Sequence, residues 1–198
     1  MIKFVNNCDE KPYKQFRSLY NLAKKNKQKY IEAISISSFS RKNNEVESRF
    51  VNAKFLDNKS FIFFSNYNSP KAMQFKNHNQ ISGLFFWSSI NTQIRIKAKI
   101  KKTSKDFNNI YFKNRSKRKN ALAISSQQSK KIQSYDLVKK SYESVLNEHV
   151  LDICPSYWGG FTLVPYYFEF WTGNSNRINK RHVFIFEKNK WEDYYLEP

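Results

Sequence analysis

Four short segments combine cationic side chains with hydroxyls, aromatics or a helix start, and the chemistry they share is capture of an anion. The first segment is SFIFFSN (60–66), followed by a helix start at Ser69-Pro70-Lys71. A helix N-terminus presents free N–H groups and the positive end of its dipole, which favours phosphate. Lys71 falls in that first turn, where the dipole disfavours a lysine unless an anion is present, and Ser65 adds a hydroxyl nearby. The second segment is RFVNAK, in which Arg49 and Lys54 lie five apart and point to opposite faces of a regular strand. The third is YFKNR, continuing to Lys117, Arg118 and Lys119. Tyr111 and Arg115 are one helical turn apart and can clamp a phosphate together. The fourth runs from Trp158-Gly159-Gly160-Phe161 through Glu169-Phe170-Trp171-Thr172-Gly173 to Arg177-Ile178-Asn179-Lys180-Arg181. Its paired glycines permit close backbone approach, Trp171 offers an aromatic wall, and two arginines follow. Each segment alone has a plainer reading: a capped surface helix, solvated charges, a basic helix, or core aromatics beside a charged turn.

A scaffold of strands and short helices must position these groups. Residues 12–29 read as an amphipathic helix, with Pro12 near its start and Phe16, Leu19, Tyr20 and Ala23 at helical spacing. The alternation in 33–38 predicts a strand, and the polar stretch 40–47 a loop. Strands over 49–56 and 60–65 are joined at Asp57-Asn58-Lys59 as a hairpin. An apolar strand spans 81–87. In 92–102, Ile94, Ile96, Ala98 and Ile100 oppose Gln93, Arg95, Lys97 and Lys99, the pattern of a half-buried antiparallel strand. Further strands occupy 160–171 and 183–195, the latter bending at Lys188-Asn189-Lys190. Ser69 with Pro70 opens a helix to about His78, and Ser104 with Asp106 caps another. A third starts at Ser134 and carries Val138, Tyr142, Val145 and His149 on one stripe. The pattern predicts a mainly β chain with added helices (α+β), an antiparallel barrel in one domain over 1–198.

Composition narrows the function classes. The net charge of +19 suits nucleic acid, an anionic surface or an acidic small molecule. Yet 22 asparagines against 4 glycines, with heavy use of Lys, Ile, Phe and Tyr, match an AT-rich coding bias, and the lysines are dispersed. A nucleic-acid face is therefore not expected. His78, His149 and His182 lack zinc-ligand spacing, and Cys8 and Cys154 form no C-x-x-C pair, so we expect no metal and two reduced thiols. No apolar run reaches the ~18 residues of a membrane span, and Met1-Ile2-Lys3-Phe4 opens no signal segment; a cytoplasmic protein without a membrane partner is expected. Neither a strand–helix alternation with Gly-rich turns nor a G-x-x-x-x-G-K-[ST] loop is present.

Taken in order, SRFVNAK, FIFFSNYNSPK, TQIRIKAKI, YFKNR, SSQQS, SYWGGF, EFWTG and RINKR resemble the pyridoxine (pyridoxamine) 5′-phosphate oxidase family, from about Arg49 to Pro198. The resemblance implies a split β-barrel, a homodimer bridged by FMN, and oxidation of a small phosphorylated pyridoxal precursor by molecular oxygen, releasing hydrogen peroxide. It assigns FMN contacts to Arg49, Lys54, Phe64, Ser65, Lys71, Gln93, Gln128, Ser129, Trp171 and Arg181. It assigns the substrate to Lys54, Tyr111, Arg115, Lys119, Arg177 and Asn179, with Arg177 and Asn179 over the reacting ring. Four positions depart from the family pattern: Phe64 stands for tyrosine, Pro70 for arginine, Lys119 for serine, and Asn179 for the histidine of R-x-H-x-R. The usual R-L-x-P ending has become Tyr195-Leu196-Glu197-Pro198. A charged hydrogen bond to phosphate contributes ~1.5–3 kcal/mol, so Pro70 weakens FMN without abolishing its site, because Arg49, Lys71 and the helix end remain. Asn179 can donate a hydrogen bond but cannot relay a proton. Two other readings stand beside this one. One is a paralogous oxidase of another reduced ring, as in phenazine biosynthesis. The other is a nonenzymatic flavin- or nucleic-acid-binding protein.

Overall fold

The computed structural model describes residues 1–198. In chain order its elements are β1 (Lys3–Val5), α1 (Lys11–Lys25), β2 (Ala33–Ser40), β3 (Glu45–Asn52), β4 (Phe55–Asp57), β5 (Ser60–Asn66), α2 (Pro70–Asn77), β6 (Gln80–Trp87) and β7 (Thr92–Lys102). There follow α3 (Lys105–Lys113), α4 (Lys117–Ser125), α5 (Tyr135–Glu148), β8 (Trp158–Thr172), β9 (Lys180–Glu187) and β10 (Lys190–Leu196).

The strands form one sheet in the order β1-β4-β5-β8-β7-β6-β2-β3, all antiparallel except the β1–β4 pair. β8 is the branch point. One of its edges pairs with β7 from Phe161 to Thr172. The other edge is divided, Trp158–Leu163 pairing with β5 and Tyr167–Thr172 with β9, which β10 extends. This division splits the barrel, as expected. On β7 the inward Ile94, Ile96, Ala98 and Ile100 are all buried, with one register shift at Lys97/Ala98. The core is aromatic: Phe16 of α1 lies edge-on to Phe61 and Phe85 and tilted against Trp87. Tyr13 meets Phe168 edge-on. No helix is long and apolar enough to cross a membrane.

Four sequence expectations change. The stretch 40–47 is not a loop, because β2 and β3 form a long hairpin closed by residues 41–44, with Asn44 at positive φ. Its outer face is solvated, so polar side chains there conceal the strand. The strand over 49–56 is interrupted: β3 ends at Asn52, and Lys54 donates its N–H to the Ile62 carbonyl on β5. The expected stripe on α5 buries only Val145, with Tyr142 packed beside it. Ser69 occupies the N-cap position of α2 without capping it, since its hydroxyl donates to the Asn66 carbonyl.

Candidate functional site

A cavity of about 540 Å³ opens between the end of β5, the Trp158 end of β8 and the α3–α4 corner. Lys54, Phe64, Ser65, Lys71, Tyr111, Arg115, Lys119 and Gln128 all line it. Eight residues scattered over 75 positions thus meet on one wall because β5 and β8 pair through Phe64↔Gly160 and Asn66↔Trp158. Phe50 and Asn52 line the same wall, so Lys54 continues their alternation past the end of β3, while Arg49, five residues earlier, points away as the spacing predicts.

Four cations share this space, and no carboxylate lines it. Lys71 is buried and donates only to the hydroxyls of Ser65 and Ser69, at 3.1 and 3.3 Å. Burial, aided by the Arg49 charge, pulls its ammonium down to about 8. Burial likewise lowers Lys54; Glu32, 4.0 Å away, opposes this while Lys119 and Arg115 add to it. Arg115 is lowered by burial too, and its Nη1 is buried without a hydrogen-bond partner. Unpaired buried cations cost free energy until an anion reaches them. The cavity is built for anions.

Its floor is a stack of rings. Phe64 lies 3.8 Å from Tyr111 and 5.1 Å from Trp158, nearly parallel to both, and the Arg115 guanidinium sits 4.4 Å over Trp158. Gln128 accepts a hydrogen bond from Ser65, while the neighbouring Ser129 is exposed at positive φ.

The paired glycines serve this corner from behind. A Cβ on Gly159 would strike the Tyr67 hydroxyl and the Asn108 amide, and one on Gly160 would strike Thr103. Asn108, buried on α3, accepts from the Gly160 N–H and from Thr103 and donates to Tyr67. It thereby fastens α3, which carries Tyr111, against β8. The glycines admit this clamp rather than a ligand, and the sequence reading missed Asn108.

The other expected residues lie elsewhere. Arg49 is outside the cavity wall, donating to Ser38, Glu47 and Gln74 beneath α2. Gln93, Trp171 and Arg181 form one cross-strand row on β7, β8 and β9. They sit at the far end of β8, about 40 Å of strand from Trp158 at ~3.3 Å per residue. Arg177, exposed at positive φ, and Asn179 belong to the β8–β9 loop at that same end, where Asn179 accepts from the Asn174 N–H.

Beside the row lies Glu169, buried and also missed, whose signal was a lone acid within an aromatic run. Arg95 and Arg181 both pair with it, and Tyr167 donates to it. Burial pushes the Glu169 carboxyl up, but hydrogen bonds from Arg181 and Tyr167, with the two arginine charges, hold it below the usual carboxylate range.

Comparisons with known proteins agree with this fold. Residues 158–198 match the family described as the pyridoxine 5′-phosphate oxidase C-terminal dimerisation region. Among solved structures, PhzG from Burkholderia lata 383, in complex with tetrahydrophenazine-1-carboxylic acid, superposes with a TM-score of 0.90 at 21% identity, over 96% of this chain and 93% of that one. A pyridoxamine 5′-phosphate oxidase-related, FMN-binding protein from Nostoc punctiforme PCC 73102 gives 0.75 at 12% identity, over 95% and 98%. These two establish the fold. Pyridoxine/pyridoxamine 5′-phosphate oxidase from Aliarcobacter butzleri is 32% identical over 98% of this chain and 92% of its own length. The enzyme of the same name from Rippkaea orientalis is 34% identical over 94% of this chain and 89% of its own. With that coverage, and with a split barrel that places Lys54, Lys71, Arg115 and Lys119 around one cavity, the chain belongs to the pyridoxine/pyridoxamine 5′-phosphate oxidase family.

Proposed function

We propose that residues 1–198 form one FMN-binding unit that works as a homodimer and oxidises pyridoxamine or pyridoxine 5′-phosphate to pyridoxal 5′-phosphate. The observation that carries this reading is the cavity wall of Lys54, Lys71, Arg115 and Lys119 without a facing carboxylate. Four cations exceed what one phosphate requires, and two phosphates, one from FMN and one from the substrate, match them. FMN and a phosphorylated substrate fit these residues: the buried Lys71 ammonium, on the flavin side, has only hydroxyl partners, and the buried Arg115 Nη1, on the substrate side, has none. When bound, FMN supplies the two-electron acceptor that molecular oxygen regenerates with release of hydrogen peroxide.

Within this reading Ser65, Lys71, Gln128 and Ser129 hold the flavin phosphate, with Arg49 adding its charge from beneath α2. Lys54, Tyr111, Arg115 and Lys119 hold the substrate phosphate, and that grip fixes the distance of the reacting carbon. Phe64 contributes a flat apolar surface where the family carries tyrosine. Gln93, Trp171 and Arg181 stand at the opposite end of β8, outside the cavity wall. A second copy, related by two-fold symmetry, completes the site with them. The match of 158–198 to a dimerisation region supports this arrangement. Arg177 and Asn179, beside that row, then cover the substrate ring.

A second reading keeps the fold and flavin and changes the ring oxidised. The substitutions at Lys119 and Asn179, both on the substrate side, favour it. One experiment separates the two: purify the protein, extract and identify its flavin, and measure peroxide release with each phosphorylated vitamer. Turnover of either vitamer is expected. Full FMN occupancy with peroxide from neither selects the second reading, and a colourless protein that ignores added FMN rejects both.

A further inference from the structure

Two arginines on one buried carboxylate make an unusual anchor, and nothing in the anion cavity uses it. Glu169 is 3% exposed, in the middle of the aromatic stretch of β8. Its Oε1 accepts from Arg181 Nε at 2.9 Å, and its Oε2 takes the Arg95 guanidinium and the Tyr167 hydroxyl. Arg181 is tied on a second side, since its Nη1 donates to the Glu197 carbonyl at 3.0 Å. A planar guanidinium held at Nε and Nη1 has no rotational freedom left, and its Nη2 edge is aimed in one direction. Arg181 itself belongs to the row of Gln93 and Trp171, its register neighbours across β7, β8 and β9.

Charge supports the same view. A buried ion pair is weak evidence for stability, because desolvation offsets most of its attraction. Here two guanidinium groups share one carboxylate, so a positive charge remains in surplus, and Arg95 Nε is buried with no partner at all. Such an arrangement orients Arg181 without neutralising it.

We propose that Glu169 is a positioning residue that acts through Arg181 on the flavin of the neighbouring subunit. This rests on the reading above that Arg181 reaches the partner's FMN. Glu169 touches no ligand itself; it fixes the direction of the arginine that does.

A double-mutant cycle on the reconstituted protein tests the idea, with FMN dissociation constants read by flavin fluorescence. Glu169→Gln, which keeps shape and loses charge, is expected to weaken FMN by roughly tenfold, the scale of one charge-assisted hydrogen bond. Glu169→Asp, which keeps the charge, is expected to recover part of that loss. In an Arg181→Ala background, Glu169→Gln is expected to change FMN affinity by less than about twofold, because the route is already cut. The substrate KM is expected to stay unchanged in Glu169→Gln once FMN is saturating, since the cationic cavity is untouched. A loss from Glu169→Gln that multiplies fully onto that of Arg181→Ala overturns the proposal and assigns Glu169 to the fold alone. Native FMN affinity in Glu169→Gln, or in Arg181→Ala, also overturns it while leaving the FMN reading intact. Failure of the unmodified protein to bind FMN overturns both. Should Glu169→Gln not fold, the cycle is run with Glu169→Asp against Arg181→Lys, where a fully additive loss is again the overturning result.

Discussion

At the Trp158 end of β8, four cations face a cavity with no carboxylate in its wall, whereas at the Trp171 end two arginines close on the buried Glu169. The same strand and the same chemistry of positive charge serve two purposes. Cations without a carboxylate partner, as Lys71, Arg115 and Lys119 are, store electrostatic free energy that an arriving anion releases, so the first end is built for affinity. Cations that share a carboxylate keep a smaller surplus of charge but are held in direction, so the second end is built for orientation. Removing charge should therefore dominate at one end and disturbing geometry at the other.

The largest expected effect is at the cavity. Arg115→Ala should raise KM for the phosphorylated substrate by about a hundredfold, the scale of a charge-assisted pair to phosphate, with kcat changed far less. Steady-state peroxide release measures both, and a matching KM rise in Arg181→Ala would break the distinction between the two ends. Next comes Lys71→Met, expected to weaken FMN by roughly tenfold. The sign of its pH dependence follows from the shift. The free Lys71 ammonium titrates at about 8, and a bound phosphate raises that value, so FMN affinity is constant below 8 with respect to Lys71 and falls as pH rises above it. The limb should vanish in Lys71→Met, which FMN titrations across that range will reveal. Lys119→Ser restores the family residue at the rim and should raise the substrate KM by only a factor of roughly two to five, the scale of an exposed charge; a hundredfold change would make Lys119 a principal anchor. The smallest effect belongs to the loop of the orienting end. Asn179→His should raise kcat with KM little changed, and an unchanged or lower kcat would remove Asn179 from the reaction.

Much of the scaffold was legible because local patterns agreed with the fold. The alternation of Ile94, Ile96, Ala98 and Ile100 marked β7, and Ser104 and Ser134 cap α3 and α5 by accepting from the Phe107 and Leu137 N–H groups. What stayed hidden had no local signature. β3 begins at Glu45 on an outward face, so its polar residues resemble a loop. α4 presents only a short apolar face around Ala121, and β1 is three residues long, fixed by a parallel pairing with β4 that no spacing announces. The anion site was readable only through the ordered motifs, because its residues meet by strand pairing across nearly a hundred positions. Asn108 and Glu169 escaped for one reason: their importance lies in hydrogen bonds to distant partners, Gly160 in one case and Arg181 in the other.

In the proposed dimer, a strand that begins in one half-site and ends in the other has a genetic consequence. In a symmetric pair that shares its sites, each β8 lends its first end to one site and its last end to the other. Mixing an Arg115-deficient subunit with an Arg181-deficient one then concentrates both lesions in one site and leaves its twin wholly intact. At substrate and FMN levels too low to saturate either impaired site, two defective alleles would complement each other, and the hybrid would regain up to half the native output from a single restored centre.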